Sequence, residues 1–171
     1  YDLAIIAKPQ EKFTDQEKQV LDQFIINGGK TLWFLDHAHI EMEDLKQSGS
    51  TLAFNNELEL NDLFFKYGIR FLPDLIKDEQ CVPIILETGE PGSQTQQSEY
   101  FWKFSPFIYT ESSHPIVKNV DGIKFEFANP IELLKNNIQK TILLRSSEYS
   151  KTVGTPTSID LNLVQEKADK S

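Results

Sequence analysis

The sequence is poor in cysteine and in long apolar runs, and positive charge is in deficit. The single cysteine among 171 residues excludes an internal disulfide and a zinc site that needs two thiolates. No segment approaches the roughly 20 apolar residues of a membrane-spanning helix, and no signal-peptide pattern is present. The 17 basic and 26 acidic residues give a formal net charge of -9, which disfavours binding to nucleic-acid phosphates and to anionic lipid through charge.

The composition that remains is that of an ordinary globular chain, with 39% hydrophobic and 25% charged residues. The length predicts one compact domain over residues 1–171, since domains average about 150 residues. The chain begins at Tyr1, inside a strand pattern, and ends in the polar stretch 165–171. We therefore expect it to be a fragment of a larger protein.

The first 35 residues predict a strand, a helix and a second strand. Leu3–Ala7 is a continuous apolar run, typical of a strand buried on both faces, and Thr31–Leu35 is another. Between them Thr14 and Glu17 match a capping box at the start of a helix over 15–27, which Gly28 and Gly29 end. The apolar face of this helix is predicted at Val20, Leu21, Phe24 and Ile25. The three elements form a βαβ unit.

The remainder predicts more strands than helices. Residues 36–56 read as a loop with a short helical piece at 41–47, and a second helix is predicted over 59–67. A long-looped β-hairpin is predicted over 81–104, and Pro83 indicates that its first strand lies at a sheet edge. Further strands are predicted at 69–71, 123–127 and 141–144. These elements indicate an α/β fold of mixed parallel and antiparallel strands with a β-hairpin insertion.

The residues after the second strand are the first candidate site, because ligands in open α/β sheets lie beyond the carboxyl ends of strands. Asp36, His37, His39 and Glu41 offer nitrogen and oxygen atoms that could hold a divalent metal. A polar loop with two incidental histidines is the simpler interpretation, because the third histidine, His114, is far along the chain. No metal and no cofactor are predicted.

No catalytic constellation is predicted. Cys81 begins a strand without glycine neighbours, which favours a buried, inert thiol over a nucleophile at a strand-to-helix elbow. Ser146 and Ser147 follow a predicted strand but lack a glycine frame and any later histidine, so a turn or capping role is favoured. Residues 113–117 predict a capped turn in which His114 is structural. Phosphate-binding glycine loops are absent, so nucleotide binding is unsupported.

Several longer strings, in order, resemble the gliding-motility-associated ABC transporter substrate-binding protein family of the GldG type. The resemblance runs from Asp2 to about Pro156. The strings are Ser50–Phe54, Asp62–Arg70, Pro73–Asp78, Phe101–Pro106, Ser113–Asn119 and Ile142–Ser150.

This resemblance implies a class I glutamine amidotransferase-like (flavodoxin- or Rossmann-like) sheet without a catalytic triad. It also implies a membrane-anchored parent protein, with this domain on the extracytoplasmic (periplasmic) face of the inner membrane. The implied partners are the permease and ATPase subunits of the same ABC transporter. It carries over no binding residues.

We therefore expect a non-catalytic auxiliary or substrate-binding domain that acts through its surface. The alternatives are an amidotransferase-like hydrolase and a small-molecule or carbohydrate-binding module with Trp33, Trp102 and Tyr149 as stacking candidates. Partner docking or self-association is expected through the 81–104 hairpin rather than through helix 15–27, whose outer face is evenly charged at Glu17, Lys18 and Asp22. The candidate interaction surface consists of Asp36, His37, His39, Glu41, Glu90, Gln94 and Gln97.

Overall fold

The structure, a computed structural model, describes residues 1–88, 96–110 and 113–161. The helices are α1 (Asp15–Ile26), α2 (Met42–Ser48) and α3 (Asn61–Lys66). The first six strands are β1 (Leu3–Ala7), β2 (Lys30–Phe34), β3 (Ala38–His39), β4 (Ser50–Asn55), β5 (Ile69–Phe71) and β6 (Leu75–Asp78). The other six are β7 (Cys81–Thr88), β8 (Gln96–Tyr109), β9 (Gly122–Lys124), β10 (Ile131–Leu133), β11 (Ser150–Val153) and β12 (Thr157–Asp160).

The predicted βαβ unit is confirmed. β1 and β2 are parallel, with Ile5 opposite Leu32, and α1 connects them. Both hydrogen bonds of the capping box are present, because the Glu17 N–H donates to Thr14 Oγ1 and the Thr14 N–H donates to Glu17 Oε2. At the other end of α1 the chain turns through Gly28, whose φ of 91° suits a residue without a Cβ.

The expectation that β1 is buried on both faces is wrong for the described residues. Leu3 and Ile5 on β1, and Leu32 and Phe34 on β2, are 43–60% exposed. Side chains on the opposite face pack with α1 and α3, so the described elements cover only that side of the two-stranded sheet. An outer apolar face therefore remains uncovered.

The other strands form four small antiparallel sheets. Their orders are β12–β4–β3, β7–β8–β9, β10–β5 and β11–β6. The mixed α/β class and the 81–104 hairpin are thereby confirmed. The amidotransferase-like arrangement stays a prediction.

Two sequence predictions about strands are wrong. The predicted loop over 36–56 contains β3 and β4, and β4 is the central strand of its sheet. Conversely, residues 141–144 form no strand, and Ile142 is 46% exposed. The alternating segment 123–127 is also shorter than predicted, since β9 ends at Lys124 and Phe127 takes a left-handed φ of 51°.

The buried side chains form two clusters. The α3 cluster consists of Leu58, Leu60, Leu63 and Phe64, with Trp33 and Phe71 among the half-buried residues packed against it. The β8 cluster is the larger one, and Trp102 and Phe104 provide its aromatic rings. Its other members are Ala38, Leu45, Ala53, Leu75 and Ile159. The chain passes from one cluster to the other at residues 35–38, where the candidate site begins.

Candidate functional site

A polar pocket lies where the chain leaves β2 and β4. Its volume is about 240 Å³. His37 enters its wall three residues after β2, and the remaining lining comes from the end of β4 through the start of α3. The lining residues are His37, Asn55, Asn56, Glu57, Leu58, Glu59, Leu60 and Asn61.

His37 is fixed in this wall by its backbone and by its ring face. Its N–H donates to Asn129 Oδ1 at 2.9 Å, and its carbonyl accepts from the Asn56 N–H at 2.9 Å. The imidazole stacks on the Phe71 ring with centroids 4.6 Å apart and planes 16° apart. The residue is only 6% exposed, and no hydrogen-bond partner for Nε2 is found in the part of the chain that the structure describes.

Burial lowers the pKa of His37, and the nearby negative charge of Asp36 opposes this shift. The ring is therefore neutral at pH 7, because its ordinary pKa of 6.5 is already below that pH. A neutral imidazole presents one donor and one acceptor nitrogen. The wall of the pocket is thus polar without being positively charged at this position.

The acidic side of the pocket is partly neutralised by one lysine. Lys12 Nζ lies 3.3 Å from Glu57 Oε2 and 3.4 Å from Glu59 Oε1. Hydrogen bonds to Glu57 and Glu59 raise the pKa of Lys12, so the cation persists at neutral pH. Glu59 has a φ of 57°, a left-handed conformation that costs a non-glycine residue about 1–2 kcal/mol. Such strain is concentrated at functional sites in known proteins.

The four predicted site residues after β2 separate into different environments. Asp36 is exposed and lies 3.6 Å from Lys8 Nζ. His39 Nε2 and Glu41 Oε1 are 2.6 Å apart, and the His39 ring lies against Phe54 with centroids 4.8 Å apart. The prediction of His37 as part of an exposed interaction surface is wrong, because its ring is buried.

The rest of the predicted interaction surface belongs to the hairpin. Glu90 and Gln94 lie outside the described residues, and Gln97 lies in β8 opposite Glu87. β7 is an edge strand as predicted, with an irregular register between Cys81 and Pro83. One face of the hairpin carries three exposed apolar side chains and one carboxylate, since Pro83 pairs with Phe101 and Ile85 pairs with Glu99. Phe101 is 72% and Ile85 61% exposed.

The prediction of an evenly charged outer face on α1 is wrong. Lys18 Nζ lies 2.9 Å from Asp62 Oδ2, and Asp22 Oδ1 accepts a 2.8 Å hydrogen bond from the Tyr67 hydroxyl. Burial, with help from Asp22, raises the pKa of Tyr67 to about 12. These charges therefore line a groove of about 380 Å³ between α1 and α3. Val20, predicted on the buried face, is instead 69% exposed.

The predicted catalytic candidates have structural surroundings. Cys81 is half-buried at the start of β7, and burial raises the pKa of its thiol, which makes it a poor nucleophile. Ser147 donates both its N–H and its hydroxyl to the buried carboxylate of Asp78, as expected of a turn residue. The carbonyl of His114 accepts hydrogen bonds from the N–H groups of Val117 and Lys118, in the turn that was predicted.

Neither metal binding nor aromatic stacking gains support from the described residues. No group of three or more His, Cys, Asp or Glu side chains that could hold a metal ion is found within 1–88, 96–110 and 113–161. Of the stacking candidates, Trp102 is 3% exposed and Trp33 is half-buried, whereas Tyr149 is exposed. The two tryptophans are thus core residues.

Sequence reasoning missed the pocket lining at Asn55–Asn61. A signal was present, since three asparagines and two glutamates surround Leu58 and Leu60 directly after the apolar alternation of 51–54. Recognising β4 would have placed this polar segment in a loop at a strand end, and binding residues occur disproportionately on loops.

Among the described helices, none is both long enough and apolar enough to cross a membrane. A family model for the auxiliary component of an ABC-type uncharacterized transport system matches residues 1–171. No curated protein and no solved structure matches the chain.

Proposed function

We propose, from the premise that the chain belongs to the ABC-type transport system auxiliary family, that it is a non-catalytic domain that docks on other subunits of its transporter. The family match covers the whole chain, so the assignment to a transport system applies to every element described above. The proposal adds a mode of action, which is contact through an exposed surface. The permease is the partner that a domain outside the cytoplasm would meet.

The observation that carries this proposal is the outer face of the β7–β8 hairpin. Pro83, Ile85 and Phe101 lie on this face and are exposed and apolar, and the exposed Glu99 lies on the same face opposite Ile85. Exposed apolar groups that adjoin one another mark interaction sites more often than scattered ones do. β7 is in addition a sheet edge, whose unpaired backbone groups can pair with a strand of another chain.

The transporter type and the location of the domain are proposed from the resemblance of the sequence to the GldG-type family. We assign the domain to gliding-motility-associated transporters of the GldG type and to the periplasmic face of the inner membrane, anchored by segments outside these 171 residues. The parallel β1–α1–β2 unit supports an amidotransferase-like origin, since such folds are built from βαβ units. The half-buried thiol of Cys81 and its raised pKa favour the non-catalytic alternative over a hydrolase.

Site-specific photocrosslinking in the intact transporter tests this docking face. A photoreactive residue is placed at Phe101 or Ile85 on the hairpin, and at Val20 on α1 as the control, because all three side chains are at least 61% exposed. We expect crosslinks to the permease from the two hairpin positions and none from Val20. Crosslinks from Val20 alone would show that the face is wrong, and crosslinks only between copies of this chain would replace docking with self-association.

A pair of variants checks the same proposal by a second measurement. Phe101→Ser and Val20→Ser each remove an exposed apolar side chain, so neither should disturb the core. We expect Phe101→Ser to lower the amount of permease that copurifies by roughly tenfold, since aromatic side chains dominate interface energies. Val20→Ser should copurify the permease like the original protein, and equal effects from both variants would contradict a hairpin interface.

A further inference from the structure

Strand β1 has an open edge, which docking through the hairpin does not use. β1 and β2 form a two-stranded sheet, and no strand within the described residues lies on the other side of β1. The hairpin surface is built on β7 and β8, so an inference about β1 goes beyond the proposed function and does not depend on it.

The backbone hydrogen bonds between β1 and β2 show which groups of β1 face the open edge. The Asp2 carbonyl accepts from the Lys30 N–H at 3.0 Å, and the Lys8 N–H donates to the Phe34 carbonyl at 2.8 Å. In a parallel pair every second residue of a strand bonds to the neighbouring strand, so the even-numbered residues of β1 face β2. The backbone groups of the odd-numbered residues therefore point to the open edge. These residues are Leu3, Ile5 and Ala7.

This edge has none of the features that usually keep the edges of sheets from pairing. Such features include charged side chains, prolines and bulges within the edge strand. The strand Leu3–Ala7 contains no charged residue and no proline, and its register with β2 is continuous over all five residues. β2, in contrast, begins with Lys30, so β1 is the less protected edge of this sheet.

The charges at the two ends of β1 make the strand complementary to a second copy of itself. Asp2 precedes the strand, Lys8 follows it, and both are exposed. When two copies of β1 lie antiparallel, the acidic end of each faces the basic end of the other, whereas a parallel alignment would place like charges together. Lys8 Nζ lies 3.6 Å from Asp36 in its own chain, but an exposed pair of this kind is weak and leaves the ammonium accessible.

We propose that β1 pairs with β1 of a second copy of this chain, antiparallel and about a two-fold axis at Ile5. In this alignment Ile5 lies opposite Ile5, and Leu3 lies opposite Ala7 of the second copy. The residues whose backbone groups point outward thus face one another and can exchange both hydrogen bonds of each pair. An ion pair between Asp2 and Lys8 closes each end. The outer apolar faces of the two sheets come to lie side by side and stay uncovered.

Oxidative crosslinking of single-cysteine variants of the purified chain tests this alignment. Cys81→Ser first removes the one natural thiol. Ile5→Cys then places two thiols opposite each other, with Cα atoms about 5.5 Å apart, which a disulfide can span. Leu3→Cys is the matched control, because its two thiols would lie four residues apart along the strands, about 13 Å. Both positions are exposed, and we expect a crosslinked dimer from Ile5→Cys and none from Leu3→Cys.

Charge variants, measured by sedimentation equilibrium up to millimolar concentration, test the ion pairs. Two short strands bury less than the roughly 1,200 Å² of a stable interface, so we expect a weak dimer. Asp2→Lys should weaken it by roughly tenfold, because both ion pairs become like-charge pairs. General repulsion between copies predicts the opposite, since this variant lowers the net negative charge. Asp2→Lys combined with Lys8→Asp keeps the net charge at -9 and restores opposite charges, so it should restore the dimer.

Three results would overturn the proposal. The first is a chain that stays monomeric at millimolar concentration. The second is the absence of a crosslink from Ile5→Cys, or an equally efficient crosslink from Leu3→Cys. The third is a dimer that Asp2→Lys leaves unchanged or strengthens, or that the double variant fails to restore. None of these measurements involves the hairpin, so this proposal and docking through the hairpin fail separately.

Discussion

At the scale of single residues, His37 shows how burial sets the charge of a side chain. Its ring is stacked on Phe71 and closed to solvent, and burial lowers its pKa. The folded state therefore resists protonation, whereas the unfolded chain takes up a proton near pH 6.5. The free energy contributed by the neutral ring is present above pH 6.5 and is lost as the pH falls from 6.5 toward the lower pKa of the folded state.

This linkage predicts a specific pH dependence of stability. Below pH 6.5 the free energy of unfolding should fall more steeply in the original protein than in His37→Gln, by up to about 1.4 kcal/mol per pH unit. Urea unfolding between pH 5 and pH 7.5 measures this difference. His39→Gln is the matched control, because His39 is more exposed and lies beside Glu41. Parallel profiles for the original protein and His37→Gln would contradict the prediction.

Predictions about single residues were correct where the interacting side chains are close in sequence. The capping box at Thr14 and Glu17 needs only two side chains three positions apart, and both hydrogen bonds are present. The burial of His37 depends on Phe71 and Asn129, which are 34 and 92 residues further along the chain. Sequence patterns around His37 contain nothing about these partners, so its exposure was predicted wrongly.

At the scale of elements, the β1–β2 sheet shows the same limit. The apolar runs of both strands correctly predicted parallel strands, but hydrophobicity alone does not show what covers each face. In parallel sheets both faces are normally buried. Here Ile5 and Leu32 face outward, and the described elements pack only on the other side.

Because only one face of this sheet is covered, shortening a side chain on the outer face should cost less stability than shortening one on the covered side. Ile5→Ala should cost less than about 1 kcal/mol, because Ile5 is 60% exposed. Leu63→Ala should cost about 2–5 kcal/mol, because Leu63 is 2% exposed within the α3 cluster. Chemical denaturation at two protein concentrations measures the free energy of unfolding of both variants. A large, concentration-dependent cost for Ile5→Ala would show that the outer face is covered by a second copy in solution.

Other elements were missed because their pairing partners are distant in sequence. β4 is stabilised by pairing with β12, more than 100 residues later, and Thr51 and Ala53 of β4 are buried. The run at 141–144 has a similar apolar composition, yet it forms no strand. Composition was sufficient for the strands of the hairpin and the βαβ unit and for β5, whose partner β10 is remote, but it did not identify β4 or exclude 141–144.

At the scale of the whole molecule, the two buried clusters raise the question of cooperativity. Trp33 packs against the α3 cluster, and Trp102 belongs to the β8 cluster. Asn129 joins the two regions, because its Oδ1 accepts from the His37 N–H and its Nδ2 donates to the Asp74 carbonyl. This connection is buried in part, and it joins His37, whose ring stacks on Phe71, to Asp74, which precedes Leu75 of the β8 cluster.

We therefore expect residues 1–171 to unfold as one unit, as a single domain would. The variants Trp33→Phe and Trp102→Phe each leave one tryptophan, so fluorescence reports on one cluster at a time. In each variant the fluorescence midpoint in urea should coincide with the midpoint measured by far-ultraviolet circular dichroism. Two separated transitions within one variant would show that the clusters are independent folding units.

Strand β8 also gives the molecule a mechanical property. Its 14 residues span about 46 Å at the usual rise of a strand. Near one end it pairs with β7 in the exposed hairpin, and at the other it pairs with β9, while Trp102 and Phe104 anchor its middle in the core. A pull along β8 relative to β7 would load the β7–β8 hydrogen bonds in shear, so that they share the force and do not open one after another. If a transporter subunit docks on the hairpin as proposed, its displacement along β8 would reach the β8 cluster through this one continuous strand.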